Sequence, residues 1–245
     1  ANGKLAWYYQ HLPGDDWDED YTHERTLLRT AIRPDPKFVK WFNPDIPPGE
    51  ERDVAVGVGE GGGIFVLDRG TGQFLWANPF PHDTPNFLLS RIDGRTGQTF
   101  INWDLVLKGP GERRTICFFN ARSYYPLAYH PGLNSLYVPY ADNCLDMTAA
   151  VPPSEGQKGV RERREGTPRP GYDPEAFGGV AKINMATGEI AHIYKGRAPG
   201  QSSIVATAGD LVFWGDMNQM FRAFDAESGK ILWETTLESR IESST

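Results

Sequence analysis

Acidic side chains are concentrated in one short stretch near the start of this 245-residue chain, residues 13–20 (PGDDWDED). Five carboxylates fall within six positions, and charges of the same sign that close repel each other unless a cation or water relieves them. In an extended segment the side chains of Asp18 and Asp20 point to one side. They could therefore share a hard cation through oxygen ligands, although no EF-hand pattern is present. A solvated acidic loop is the alternative interpretation.

A glycine-rich run at residues 57–62 (GVGEGG) matches the GxGxxG pattern of dinucleotide-binding sites. That chemistry requires a helix directly after the glycines, because the helix N-terminus holds the pyrophosphate. Residues 63–68 (GIFVLD) instead have the pattern of a strand. The run therefore predicts a glycine-rich hairpin and not a NAD site. The five histidines show no HExxH spacing, and Ser202 and Ser203 lack the context of a nucleophile elbow.

The elements that must position these residues are indicated by a repeat. Residues 223–233 (AFDAESGKILW) and 66–76 (VLDRGTGQFLW) share one phrase, and residues 182–192 (KINMATGEIAH) are a weaker copy without its Trp. The Asp or Asn can bond the backbone of a turn, and the Gly supplies a positive φ. A large ring at one fixed site per repeat suits packing between stacked sheets. The repeat predicts an all-β partial propeller, with an ordinary β-sandwich hairpin as the alternative.

The two ends of the chain fall inside this repeat pattern. Residues 2–7 (NGKLAW) resemble the second half of the phrase, and residues 235–241 follow directly after a blade strand. We therefore expect residues 1–245 to be an incomplete single propeller domain, a segment of a longer protein or a half that a partner completes. Two polar insertions interrupt the strands, a loop at 43–52 and a longer, charged stretch at about 152–174 that is expected to be solvated.

Composition excludes some functions. The net charge of -7 argues against a nucleic-acid surface, and no apolar run approaches the ~20 residues of a membrane-spanning helix. Hydrophobic residues make up 39% of the chain, enough for a substantial core. Cys117 and Cys144 fit neither a CxxC pair nor a zinc site, and from spacing alone they are either buried thiols or one disulfide.

Several segments together resemble one family, the PQQ-dependent alcohol dehydrogenases, quinoprotein relatives of methanol dehydrogenase. The segments that carry the resemblance are 3–10 (GKLAWYYQ), 13–18 (PGDDWD), 63–69 (GIFVLDR), 125–131 (YPLAYHP) and 206–216 (ATAGDLVFWGD). The repeat itself is similar to the tryptophan-docking motif of that family. The resemblance implies an eight-bladed propeller with PQQ on its axis and a metal ion beside it, of which this chain would supply about half.

The resemblance also assigns roles to single residues. Asp18, which follows Trp17, would be the catalytic carboxylate and a metal ligand, and Asp20 would be a second ligand that favours a lanthanide, with Ca2+ as the alternative. The residues assigned to the cofactor are Glu60, Ser123, Asn120 and Trp214. Two of them depart from the family pattern, because Glu60 stands where a basic residue is common and Ser123 where an Asn is common. The two cysteines resemble a disulfide pair of methanol dehydrogenases, which implies a periplasmic protein.

The function implied is oxidation of a primary or secondary alcohol by hydride transfer to the quinone, with electrons passed to cytochrome c or a similar acceptor. The other partners expected are the small-molecule alcohol and the remainder of the propeller. Further metal ligands and a ring-stacking Trp lie upstream in this family, so these residues alone do not build a complete site. The alternative is a non-catalytic propeller scaffold for protein–protein contacts.

Overall fold

Short antiparallel strands build the molecule, as the Gly- and Pro-rich turn pattern predicts. The computed structural model describes residues 3–21 and 23–242; Asn2, in the first half-repeat, lies outside them. The strands are Thr26–Ile32 (β1), Trp41–Phe42 (β2), Glu50–Val58 (β3), Ile64–Asp68 (β4), Phe74–Asn78 (β5), Leu89–Ile92 (β6), Thr99–Ile101 (β7), Arg113–Cys117 (β8), Ala128–His130 (β9), Ser135–Ala141 (β10), Asn143–Thr148 (β11), Arg163–Pro168 (β12), Gly178–Asn184 (β13), Ile190–Gly196 (β14), Ile204–Ala206 (β15), Leu211–Gly215 (β16), Met220–Asp225 (β17) and Ile231–Thr236 (β18). One short 3-10 helix spans Pro174–Ala176.

Most of these strands meander into blade-like sheets. The larger sheets have the orders β1-β3-β4-β5-β2, β14-β13-β10-β9 and β15-β16-β17-β18, and all their pairings are antiparallel. A three-stranded sheet (β12-β11-β8) and a two-stranded one (β6-β7) complete the described part. The predicted all-β class is confirmed.

The repeated turn has the predicted chemistry. The Asp68 carboxylate accepts hydrogen bonds from the backbone N–H of Gly70 and Thr71 at 3.0 and 2.9 Å, and Gly72 follows with φ 74°. Asn184 and Asp225 head the same turn in the other two copies. The structure adds a fourth copy that the sequence reasoning missed, in which Asp93 heads the turn between β6 and β7. The DGRTGQ letters at 93–98 carry the signal, but Ile101 stands at the position that Trp76 holds in its own repeat.

Each repeat docks on the turn of another sheet. A Cβ added to Gly72 would lie 2.7 Å from the Trp7 ring, and one added to Gly188 would lie 3.6 Å from the ring of Trp76. In the copy without a Trp, Ile193 takes the same place against Gly229. The Trp7 ring and Ile193 approach their glycines more closely than a residue with a Cβ would allow, whereas Trp76 is in ordinary van der Waals contact with Gly188. These contacts connect the segment that carries Trp7 to the first larger sheet, and each larger sheet to the next, as expected of propeller blades.

The core lies mainly between sheets. Val56, Val66 and Trp76 of the first larger sheet form one buried cluster with Leu136 and Val138 of the second. Burying one such aliphatic side chain contributes about 2 kcal/mol. A disulfide between Cys117 and Cys144 joins β8 to β11 at directly paired positions, so the pairing implied by the resemblance is confirmed. In the described part, no helix is long and apolar enough to cross a membrane.

The charged stretch at 152–174 contains a strand. β12 pairs with β11, and Val151 forms an isolated bridge with Val160. Most residues of this stretch are exposed, in keeping with its composition. Its strand nevertheless carries one side chain into the candidate site.

Candidate active site

The acidic segment is a tight turn whose first carboxylate holds the others in place. Asp15 accepts hydrogen bonds from the backbone N–H of Trp17 at 2.8 Å and of Glu19 at 2.9 Å. The Trp17 ring is fully buried in a cluster with Leu88 and Ile116, which anchors the turn. Asp18 has φ 64°, so the extended geometry considered from the sequence does not hold at this residue. The anchored turn leaves Asp18 exposed at the surface.

Asp18 is paired with an arginine from the charged stretch. Arg164 Nη1 donates to Asp18 Oδ2 at 2.9 Å, and Arg164 Nη2 donates to the Trp17 carbonyl. The guanidinium also lies 5.8 Å from the ring centroid of Phe119. Sequence reasoning treated this stretch as solvated and missed the pair. No local signal could have found it, because 146 residues separate the partners.

Glu19 is the most unusual group of the cluster. It is 1% exposed, and within the described residues neither of its carboxylate oxygens has a hydrogen-bond partner. Burial first, and the negative charges of Glu60 and Asp15 next, raise its pKa well above the usual range. Nothing in the sequence separates Glu19 from its acidic neighbours.

Two of the residues assigned to the cofactor contact each other. Ser123 Oγ donates to Glu60 Oε1 at 3.5 Å, and the Glu60 backbone N–H donates to the Asp20 carbonyl at 3.1 Å. Burial first, then the charges of Asp20 and Asp18, raise the pKa of Glu60. The fold therefore brings four predicted site residues into one neighbourhood, although Ser123 and Asp18 are more than 100 positions apart.

Basic groups that the sequence reasoning did not select border this cluster. His23 Nε2 lies 3.8 Å from Glu60 Oε1, and burial, aided by Arg122, lowers the pKa of His23 to about 4. Arg122 is 2% exposed and donates to the carbonyls of Val58 at 3.2 Å and Tyr125 at 2.7 Å. It also forms an ion pair with Glu24. Two hydrogen bonds and an ion pair therefore hold the positive charge of Arg122 close to Glu60.

The remaining two predicted residues occupy different surroundings. Asn120 has φ 47° and precedes Ala121, whose backbone N–H donates to the Glu60 carbonyl at 3.0 Å. Its loop is thus tied to the cluster. Trp214 is fully buried in the last sheet, with its ring centroid 5.5 Å from that of Tyr194, and it packs in a different core cluster.

The donor chemistry of the cluster suits a hard cation, but its ligand set is partial. Among residues 3–21 and 23–242, no group of three or more His, Cys, Asp or Glu side chains is arranged to hold a metal ion. Asp18 and Asp20 offer carboxylate oxygens, and the orphaned oxygens of Glu19 mark an excess of negative charge that a cation would relieve. These residues can therefore supply part of the ligand set of a cation.

The fold and this acidic site are those of a propeller-type β-protein with an exposed carboxylate in its candidate active site. Residues 175–245 match the family model described as PQQ, the glucose/ethanol/alcohol dehydrogenase beta-propeller domain. Quinoprotein ethanol dehydrogenase of Pseudomonas aeruginosa is 28% identical over 96% of this chain and 36% of its own length. Lanthanide-dependent methanol dehydrogenase of Methylacidiphilum fumariolicum is 26% identical over 98% of this chain and 37% of its own.

Solved structures agree with these matches. A europium-containing methanol dehydrogenase superposes with a TM-score of 0.74 at 27% identity, covering 95% of this chain and 38% of that one. A quinohemoprotein alcohol dehydrogenase from Comamonas testosteroni, at 21% identity and a TM-score of 0.76, supports the fold. The chain is thus similar to quinoprotein alcohol dehydrogenases over nearly its whole length, which confirms the resemblance and the partial propeller. It spans little more than a third of the curated relatives' length.

Proposed function

We propose that this chain forms part of a PQQ- and metal-dependent alcohol dehydrogenase and carries its catalytic base, Asp18. The observation that carries the proposal is an exposed carboxylate on a buried Trp anchor, beside a cluster of further carboxylates. The printed names of the relatives, an ethanol and a methanol dehydrogenase, support an alcohol as substrate. The remaining metal ligands and part of the cofactor site would come from the remainder of the propeller.

The acidic residues of this chain have separate roles in the proposed reaction. Asp18 accepts the hydroxyl proton of the alcohol, and the Asp15 hydrogen bonds fix the backbone that carries it. Asp18 and Asp20 offer oxygen ligands to Ca2+ or a lanthanide ion. The chemistry that the bound groups would supply is a hydride acceptor, from PQQ, and a Lewis acid, from the metal ion.

Cofactor contact is proposed for the polar group next to this turn. Ser123 and Asn120 offer neutral hydrogen-bonding groups, and Arg122, which is paired with Glu24, adds positive charge next to Ser123 for an anionic quinone. Glu60 can donate a hydrogen bond to the cofactor in its protonated form, which burial favours. Trp214 remains a proposed contact, although its ring is enclosed in its own blade.

The wider setting follows the same proposal. Electrons would pass to cytochrome c or a similar acceptor, and the Cys117–Cys144 disulfide supports the oxidising periplasm as its location. Trp233 ends its repeat 50% exposed, unlike the fully buried Trp76, and it would dock on a turn in the remainder of the propeller.

The test replaces the base without changing its shape. Asp18→Asn in the full-length protein is expected to lower kcat at least about a thousandfold, because the amide cannot accept the proton, while PQQ still binds. Alcohol-dependent dye reduction measures turnover, and quinone absorbance measures cofactor content. Asp16→Asn, on an exposed neighbour, is the control. Near-normal turnover in Asp18→Asn would exclude this residue as the base.

The alternative, a non-catalytic propeller scaffold, is favoured by one observation. Asp18 already has a cationic partner in Arg164, so the pair can be a structural link between two segments. Adding PQQ with Ca2+ or La3+ to the full-length protein separates the two functions. Absence of a bound quinone spectrum under both conditions would favour the scaffold.

A further inference from the structure

One guanidinium occupies the oxygen atoms that a metal ion would use in the turn. Arg164 binds the Asp18 carboxylate through one nitrogen and the Trp17 carbonyl through another. Carboxylate and carbonyl oxygens are the ligands that hard cations prefer. Arg164 is also less exposed than its partner, at 28% against 73% for the two side chains, so it approaches Asp18 from the protein side.

The strand that carries Arg164 is firmly held. Arg164 lies opposite Met147 in the β11–β12 pairing, and β11 is bonded to β8 through Cys144. Its neighbour Arg163 is 69% exposed and pairs with Glu165. Successive side chains of a strand point to opposite faces, which explains why adjacent arginines have different partners. Of these two arginines, Arg164 is the one that is hydrogen-bonded to the acidic turn.

The charge of Arg164 acts on more than one carboxylate. It bonds Asp18 directly, and its Nε lies 3.9 Å from Oε1 of Glu162. A metal ion at Asp18 would neutralise the Asp18 carboxylate in place of Arg164. Two cations at one carboxylate repel each other, and the repulsion grows with the charge of the metal.

We propose that Arg164 is a resident counter-cation that competes with the metal ion for Asp18 and so determines which ion binds there. This inference rests on the proposed function, in which Asp18 is a metal ligand. Release of Asp18 by Arg164 accompanies metal binding. Because the repulsion is larger for a trivalent ion than for a divalent one, Arg164 disfavours lanthanides more than Ca2+.

The test measures metal binding directly in the full-length protein without cofactor. Tb3+ is titrated, and its luminescence is followed under excitation of tryptophan, since Trp17 adjoins the site; Ca2+ affinity is obtained by competition. Arg164→Gln is expected to bind Tb3+ at least about tenfold more tightly, with a smaller gain for Ca2+. Arg163→Gln is the matched control and should bind both ions like the wild type. Arg164→Lys keeps the charge and should remain close to the wild type.

The outcomes separate the two proposals. Tighter Tb3+ binding in Arg164→Gln that disappears when Asp18→Asn is added supports the competition. Unchanged or weaker binding in Arg164→Gln, while the wild type binds Tb3+ through Asp18, overturns the competition and leaves the proposed metal ligand in place. If neither protein binds Tb3+ in an Asp18-dependent way, both the ligand role of Asp18 and the competition are wrong. Circular dichroism of each variant verifies that it is folded.

Discussion

Trp76 packs against the turn glycine Gly188 of a neighbouring sheet, and this contact explains how distant repeats become adjacent blades. The Trp ring is fully buried, and Gly188 takes a positive φ of 77° in the turn that contacts it. Trp7 packs more closely still against the turn glycine Gly72. Trp233 has the same place in its own repeat but is half exposed.

This difference predicts unequal effects of two matched substitutions. In the 245-residue chain, Trp76→Ala is expected to lower the free energy of unfolding by about 3–5 kcal/mol, because a large buried ring leaves a cavity. Trp233→Ala should cost less than about 1 kcal/mol, since its ring already contacts water. Urea denaturation measures both. Equal losses would mean that Trp233 is covered in solution.

His11 predicts a pH dependence of stability. Its ring stacks on Tyr21 with centroids 4.7 Å apart, and burial, followed by the charge of Arg25, lowers its pKa from 6.5 to about 3. As the pH falls below 6.5, His11 binds a proton in the unfolded chain but not in the folded chain. The contribution of His11 to the free energy of unfolding is therefore complete above pH 6.5, and it declines by about 2–3 kcal/mol on going to pH 4.

The variant His11→Phe keeps a ring in the same stack and removes the titration. Its free energy of unfolding should change less between pH 7 and pH 4 than that of the wild type. Denaturation at several pH values provides the comparison. A wild type and a variant with parallel pH profiles would show that folding does not lower the pKa of His11.

Asp20 predicts a selective effect on the metal. Asp20→Ala in the full-length enzyme should lower lanthanide-supported activity by about tenfold or more, because a trivalent ion gains most from an added carboxylate. Activity with Ca2+ should change much less. Reconstitution with each ion, assayed with the same alcohol, gives the ratio. An equal loss with both ions would argue against a lanthanide-specific role.

The disulfide predicts a large share of local stability. Cys117 and Cys144 close a loop with a sequence separation of 27, and replacing both by Ala should cost about 3–4 kcal/mol. Thermal unfolding of the oxidised protein and the double variant measures this loss. Since β12 is paired to β11, increased protease sensitivity should follow in the Arg164 strand. A double variant as stable as the parent would mean that sheet pairing alone holds β8 to β11.

The chemistry of the repeated turn, and hence the class of fold, follows from local sequence. Asp68 and Gly72 act within five consecutive residues, so their hydrogen bonds and φ angles depend on local spacing. Residue types and the family resemblance also led to Asp18 and Asp20 as the proposed chemical centre. The copy headed by Asp93 has the same turn letters but Ile101 in place of the Trp, and it became evident only from the pairing of β6 with β7.

Tertiary structure alone decided what surrounds those carboxylates. Arg164 binds Asp18 although 146 positions separate them, and Glu60 contacts Ser123 although 63 positions separate them. Such meetings depend on how the sheets pack, and no local pattern records them. Whether a carboxylate is buried or exposed is likewise settled by the packing around its turn. The buried Glu19 and the exposed Asp18 differ for that physical reason, although the sequence presents them as equivalent neighbours.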